Sequence, residues 1–352
     1  LNIKEIDYLN KLTVMKVLFY SIKNYERKIL QEANKNRFHL TFKEEVLNLE
    51  TAFLARGFEA ISIFTNDNAS EDILRILHSV GIKYITIRST GYDNIDLIMA
   101  KELGITVSNV PDYSPESIAE HTVMLLLNLL KKNKMVQNQL AHQNFSLDNI
   151  IGETIHNKTI GIIGTGKIGS IVAKILSAFG ANIIACDTVM NKTLEKNYNV
   201  KYVSLINMAY NSDIISIHTP LNEYTHYMIN HDLMSRMKNN VLIINTARGS
   251  IVNTKEIIEN LNKKNIGGYA TDVYEFEKGI FFYNHSQSRI KDKMLTELMN
   301  MDNVIITPHQ AFATKEALSR ITEITFENLT SWYLRKEIKN KISDIEYKLM
   351  TI

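Results

Sequence analysis

The sequence predicts an α/β protein built on doubly wound parallel sheets, and three observations carry that prediction. Short apolar runs alternate with amphipathic segments along most of the chain, the order of parallel strands and their crossover helices. One run opens into a glycine-rich turn, GTGKIG, at residues 164–169. Four later runs each stop on a polar or charged residue, at the strand ends where open α/β sheets place their ligands.

Residues 1–14 carry mixed charge and weak periodicity, so the first domain is expected to open with the strand at 15–20 (MKVLFY). Alternation follows: helix at 26–34, strand at 39–42, a short helical piece at 51–55 and strand at 60–64. Residues 70–80 form an amphipathic helix with Glu71 and Asp72 in its first turn and Gly81 at its end. After the strand at 84–87 comes the turn RSTGYD at 88–93. Backbone amides near Gly91 can receive a carboxylate there, although a plain strand-to-helix turn accounts for the residues equally well. A strand at 107–110 leads to Ser114, a candidate N-cap, and to Pro115 at the favoured first helical position. One long helix, about residues 115–132, is expected to lead out of the first domain.

Residues 159–187 read as strand, turn, helix, strand. In a dinucleotide site Gly164 permits the tight turn, Gly166 lets the backbone approach a pyrophosphate, and Gly169 lets the helix pack on the strand. Thr165, Lys167 and Ile168 complete the turn, whose helix N-terminus presents free N–H groups to the phosphates. Asp187, at the end of the second strand, is placed to accept hydrogen bonds from the adenosine ribose and to repel a 2′-phosphate. The expected cofactor is therefore NAD rather than NADP.

Four more strands follow, at 214–220 (IISIHTP), 241–249 (VLIINTARG), 268–273 (GYATDV) and 304–309 (VIITPH). Their ends bring His218, Arg248, Asp272 and His309 towards one crevice. His218, Thr219, Pro220, Thr246, Ala247, Arg248 and Asp272 are the candidate cofactor contacts beside the glycine turn. Reduction of a 2-oxo acid needs a cation to hold the carboxylate and polarise the carbonyl, and an acid to protonate the oxygen. Arg248 offers the fork and His309 the proton. Glu275 and Glu277 are both candidates for a carboxylate that steadies the imidazolium.

Composition limits the alternatives. With 45% hydrophobic residues and a formal charge of +2, the chain has material for two ordinary cores and is neither disordered nor strongly basic. No arginine-rich arm points to nucleic acid. The lone Cys186 excludes an internal disulfide and a cysteine-based metal cluster, and suits a reducing cytoplasm; no metal is expected. No export signal is read at the N-terminus. The apolar run 123–130, interrupted by Asn128 and closed by Lys131 and Lys132, is too short to span a bilayer. It reads as a buried or subunit-facing helix.

Between residues 15 and 341 the chain resembles the D-isomer-specific 2-hydroxyacid dehydrogenases, and within them the bacterial D-lactate dehydrogenase branch most closely. The motifs that carry the resemblance are GYDNID (91–96), NVPDYSPESIAEH (109–121), GTGKIG (164–169), NTARG (245–249), GYATDVYEFEKGIF (268–281) and TPHQAF (307–312). The resemblance implies that Arg248 binds and polarises the substrate, that Glu277 supports the histidine, and that His309 is the acid/base. It further assigns the backbone of Ser89, Thr90 and Gly91 to the substrate carboxylate, and Phe64, Tyr113 and Phe312 to the wall around the substrate side chain. It implies a Rossmann NAD domain, residues 113–311, inserted into a flavodoxin-like substrate domain formed by 15–112 and 312–342. It also implies a homodimer.

Lys278, in place of the proline common after this glutamate in relatives acting on phosphoglycerate, and the long segment 279–303 favour the lactate branch. Gln310 has no explanation in this reading. The expected activity is NAD-dependent reduction of pyruvate to D-lactate. Longer or branched 2-oxo acids of the 2-hydroxyisocaproate type are the same-class alternative, and an NAD-sensing binding protein without catalysis is the different-class one.

Overall fold

The computed structural model describes residues 14–342; the weakly patterned leader, but for Val14, lies outside them. The chain divides into two compact units. One runs up to Ser114 and resumes at Thr314, and the other comprises Pro115–Ala313. The crossings fall two residues later than the expected 112/113 and 311/312. The return is late because the chain is still tied to the second unit there: Ser117 Oγ donates to Ala311 O at 2.6 Å and Ala313 N to Gln310 O at 2.8 Å. Phe312 thus belongs to the second unit and Tyr113 to the first.

The first unit begins with β1 (Lys16–Phe19), α1 (Asn24–Asn34), β2 (His39–Phe42), a 3-10 turn (Ala52–Ala55) and β3 (Ala60–Ile63), then α2 (Glu71–Ser79), β4 (Tyr84–Ile87), α3 (Leu97–Glu102) and β5 (Thr106–Ser108). Its five strands are parallel in the order β2-β1-β3-β4-β5, the flavodoxin-like arrangement. Alternate side chains feed opposite faces. Leu18, Ile61, Ile63, Ile85 and Ile87 pack with Ile73, Leu74 and Leu77 of α2, whereas Val17, Phe19, Ala60 and Tyr84 pack with Leu30 of α1 on the other side. Just past β4, Arg88 is fully buried. Its guanidinium donates to Glu26 Oε1, Ser62 Oγ and Tyr20 O, so the charge enters the core with its donors satisfied.

The second unit follows with α4 (Pro115–Leu130), α5 (Asn133–Ala141), β6 (Thr159–Ile163), α6 (Lys167–Ala178), β7 (Asn182–Cys186), α7 (Lys192–Tyr198), β8 (Lys201–Tyr202) and α8 (Leu205–Asn211). It continues through β9 (Ile214–Ile217), α9 (His231–Met234), β10 (Val241–Asn245), α10 (Thr254–Asn262), β11 (Ile266–Thr271), α11 (Lys293–Asn300) and β12 (Val304–Ile306). The sheet order is β12-β11-β10-β9-β6-β7-β8, all parallel. Strand order reverses between β6 and β9, which makes this the doubly wound dinucleotide fold with one more strand at its edge.

The helix expected over 115–132 is α4, which ends two residues earlier at Leu130. Lys132 then adopts a left-handed φ of 51°, and α5, a second helix that sequence reasoning did not anticipate, starts behind it. Lys134 Nζ then donates to the carbonyls of Met299, Met301 and Val304, which anchors α5 to the end of α11. Val123, Leu125, Leu126 and Leu130 of α4 are buried within the unit, against Val172 and Leu176 of α6 among others. The last helix, α12 (Lys315–Tyr333), returns to the first unit and buries Phe326 and Leu329 against Phe19, Phe38 and Tyr84. Among the described residues no helix is long and apolar enough to cross a membrane.

Candidate active site

The glycine turn is built by close backbone approach. Gly164 has φ +87°, and a Cβ on it would lie 2.6 Å from His218 O. A Cβ on Gly169 would lie 1.9 Å from Gly164 O. Neither position admits a side chain without moving backbone. At Gly166 a Cβ would meet nothing within 4 Å, so no protein contact demands glycine there, as suits a surface that a ligand approaches. Lys167 and Ile168 form the first residues of α6 behind it.

Asp187 faces this turn. One carboxylate oxygen accepts from Thr165 N at 2.5 Å and Thr165 Oγ1 at 3.0 Å, and the other from Val189 N at 3.1 Å and Thr188 Oγ1 at 3.3 Å. Burial acts to raise its pKa, yet these bonds outweigh it and hold the carboxyl below its ordinary value. The residue therefore braces the turn as well as supplying charge at it. Tyr202 OH shares a 2.8 Å hydrogen bond with Thr165 Oγ1 and accepts from Asn191 N.

Across β6, at the end of β9, His218 Nε2 lies 2.8 Å from Ser216 Oγ, and burial pushes its pKa down to about 3, so the ring is neutral. Thr219 Oγ1 beside it is buried with no hydrogen-bond partner among the described residues. A buried hydroxyl in that state is expected to meet a ligand or solvent group. Pro220, next in line, is exposed. The open surface at Gly166, the orphan hydroxyl and the ionised Asp187 together fit a dinucleotide.

The reactive groups come from the next three strand ends. After β10, Thr246 Oγ1 bonds Thr122 Oγ1, Ala247 N donates to Asn245 Oδ1, and Arg248 is half-buried with Nη1 donating to Ala247 O at 2.8 Å. After β12, His309 sits in a left-handed turn with φ 54°. Its Nδ1 lies 2.7 Å from Glu277 Oε1, and the two side chains are only 16% and 17% exposed. Burial alone would depress the imidazole pKa. The charge and hydrogen bond of Glu277, helped by Asp272 and opposed by Arg248, raise it above the ordinary histidine value. Glu275 points elsewhere: its carboxylate accepts from Tyr227 OH and from Thr254 N.

Asp272, expected among the cofactor contacts, is bonded to the turn that carries His309. It is 1% exposed. Its carboxylate accepts from Thr307 Oγ1 at 2.5 Å, Gln310 N at 2.9 Å and Ala311 N at 2.8 Å, while its backbone carbonyl accepts from His309 N at 2.7 Å. The residue holds the turn that carries His309. Behind it, His121 Nε2 of α4 lies 2.9 Å from Thr307 Oγ1. Sequence reasoning gave no role to His121, Thr307 or Tyr202. The first two lie within motifs that carry the family resemblance, the only signal that could have drawn attention to them.

In the first unit, Phe64 and Thr90-Gly91 follow the neighbouring strands β3 and β4. Phe64 is buried, its N–H donating to Asp67 Oδ2 at 2.6 Å and its ring centroid 5.7 Å from the Arg88 guanidinium. Ser89 Oγ donates to Gly91 O and Thr90 Oγ1 to Val110 O, which shapes the turn. Tyr113 is half-buried beyond β5. In the second unit Phe312 is buried next to the Asp272-held turn.

Comparison with known proteins shows the family and the fold. Residues 123–311 match the family described as D-isomer specific 2-hydroxyacid dehydrogenase, NAD binding domain. The chain is 42% identical over 330 residues to a 2-hydroxyacid dehydrogenase homolog of Zymomonas mobilis, covering 93% of this chain and 100% of that protein. It is 39% identical over 318 residues to a D-lactate dehydrogenase of Escherichia coli, covering 90% and 96%. Among solved structures, D-lactate dehydrogenase of Aquifex aeolicus complexed with NAD and lactic acid superposes with a TM-score of 0.85 at 35% identity, over 94% of this chain and 100% of that one.

Proposed function

The chain belongs to the D-isomer-specific 2-hydroxyacid dehydrogenase family and carries its NAD-binding domain, and from that premise we propose that it is a D-lactate dehydrogenase reducing pyruvate with NADH. The observation that carries the proposal is the 2.7 Å bond between His309 and Glu277 beside Arg248, at the strand ends of an NAD-binding sheet. Bound NADH would supply the hydride in reduction, and NAD would accept it in oxidation. In the proposed roles Gly164 to Gly169, His218, Thr219 and Asp187 hold the dinucleotide. Arg248 takes the substrate carboxylate as a planar fork and polarises the adjacent carbonyl. His309, kept charged by Glu277, gives its proton to the carbonyl oxygen in reduction and recovers it from the hydroxyl in oxidation. Ser89 to Gly91 would add backbone donors for the carboxylate, and Phe64, Tyr113 and Phe312 would bound the substrate side chain.

An NADH-oxidation assay over a panel of 2-oxo acids tests the proposal. Pyruvate should be the preferred substrate. Faster turnover of 2-oxo-4-methylpentanoate would move the assignment to branched acids, and no turnover of any 2-oxo acid would move it to an NAD-sensing binding protein. We further propose a homodimer in a reducing cytoplasm. Support comes from a groove of about 530 Å³ between α4 and α6, where Val123, Met124, Leu127 and Ile175 give an apolar floor among Glu120, Asn128, Lys131 and Asn133, and from the single cysteine, Cys186. Apolar surface of that kind is stabilised by burial at roughly 25 cal/mol per Å². A monomer by sedimentation at micromolar concentration would overturn the dimer.

A further inference from the structure

Immediately after Glu277 the chain makes one tight turn: Ile280 N and Phe281 N both donate to Glu277 O, at 2.9 and 3.0 Å. Gly279 supplies a first positive φ of 75°, and Phe281 is then anchored in the core, its ring 6.3 Å from that of Tyr274. Phe282, the next residue, takes a second positive φ, 67°. That conformation is a genuine outlier for a bulky side chain and persists only where the surroundings over-determine it. Glycine or asparagine would make the same bend without strain. What the phenylalanine adds is its ring, whose centroid lies 5.7 Å from that of His309 at an interplanar angle of 39°.

We propose that Phe282 is a positioning residue for the proton-carrying pair, its ring holding the His309 imidazolium against Glu277 and keeping water from their hydrogen bond. An aromatic face attracts a cation lying within about 6 Å of its centroid, and a drier surround strengthens the carboxylate's pull on the same proton. The charged groups facing His309 are then Glu277 on Nδ1, Asp272 from β11, and Arg248 from β10, which opposes the charge. Phe282 acts on the side of Glu277. The proposal rests on the reading of His309 as the acid/base.

Two variants separate the ring's electrostatics from its bulk. Phe282→Leu keeps an apolar side chain and removes the π-system; pentafluorophenylalanine at 282 keeps the shape and reverses the sign of the ring face. In both, the alkaline limb of kcat/KM for pyruvate reduction should move to lower pH, giving about threefold lower kcat/KM beyond the limb. KM for NADH should not change, and Phe282→Trp should restore the limb. The His309 ring, followed by NMR titration of ¹³C-histidine-labelled enzyme, should shift in step. A His309 titration identical to wild type in the fluorinated variant overturns the proposal, whether or not Phe282→Leu folds. If the wild type reduces no 2-oxo acid, the acid/base reading fails by itself, and the same NMR titration still decides whether the ring holds the proton.

Discussion

His309 and Glu277 stand 32 residues apart in sequence, yet Nδ1 of the one and Oε1 of the other are 2.7 Å apart. Two devices bring them together: the Asp272 carboxylate fixes the turn beyond β12, and Glu277 Oε2 accepts from Tyr274 N at 3.0 Å to set its own rotamer. The pair is largely shielded, so its electrostatics are stronger than those of a surface ion pair.

Glu277→Gln should therefore move the alkaline limb of kcat/KM for pyruvate reduction to lower pH, with about 10- to 100-fold loss beyond it and a mild effect in acid. Lactate oxidation needs the neutral base, so its acidic limb should move down too. The sign for stability follows from the raised folded pKa of His309. The pair's contribution is complete below the unfolded histidine pKa and is lost as pH rises through the folded one. Glu277→Gln should thus lower the denaturation midpoint more in mild acid than in alkali. Glu275→Gln is the control. Parallel profiles for Glu277→Gln and wild type in both directions would show that the pair does not govern the proton.

Asp187 is predicted to set cofactor choice. Its hydrogen bonds keep it ionised, and a fixed negative charge repels a 2′-phosphate. Asp187→Ala should shift the ratio of kcat/KM for NADH over NADPH by about 1–3 kcal/mol towards NADPH. Because the same carboxylate accepts from Thr165 N and Oγ1, the cofactor-free variant should also melt lower. Wild-type preference for NADPH would remove the basis of this assignment.

Thr307 ties Asp272 to His121 by hydrogen bonds of 2.5 and 2.9 Å. Thr307→Val keeps the shape and leaves both partners short of one bond, a loss of about 1–3 kcal/mol for buried groups. With the His309 turn loosened, kcat should fall several-fold while KM for NADH stays near wild type. Thr307→Ser should recover both stability and kcat. Equal kcat in Thr307→Val and wild type would mean that Asp272 holds the turn without this link.

What was legible in the sequence was local. An apolar run ending on His218, Arg248 or His309 announces a strand and its ligand-facing end without knowledge of the rest of the chain. The end of α4 near Lys132 was legible, since the apolar run closes on Lys131 and Lys132, but α5 behind it was not: it buries no residue, and Lys134 ties it to the carbonyls of Met299, Met301 and Val304, contacts that only three dimensions reveal. Nor could spacing choose between Glu275 and Glu277, because the turn at Tyr274 decides which carboxylate faces β12. The discontinuous first unit rests on non-local pairings such as Ser108 with Lys341, which no periodicity encodes; only the family resemblance suggested it. Asp272 was grouped by position with the cofactor contacts, and its burial against the 307–311 turn emerges only in three dimensions.

The glycine turn permits a test that separates architecture from binding. Gly169 lies in the first turn of α6, and an added Cβ would meet Gly164 O at 1.9 Å, so α6 would have to move off β6. Gly166 has an ordinary φ of −65° and open space around its Cβ position. Gly169→Ala should lower the melting temperature and weaken NADH together. Gly166→Ala should leave the cofactor-free protein within about 0.5 kcal/mol of wild type, as for a surface substitution. In the bound state its methyl would press on the pyrophosphate, an overpacking cost of about 1–3 kcal/mol, or roughly 5- to 150-fold in Kd. Calorimetric titration with NADH alongside thermal melts of the two variants reads both quantities. If Gly166→Ala binds NADH as tightly as wild type, the pyrophosphate does not lie against this turn.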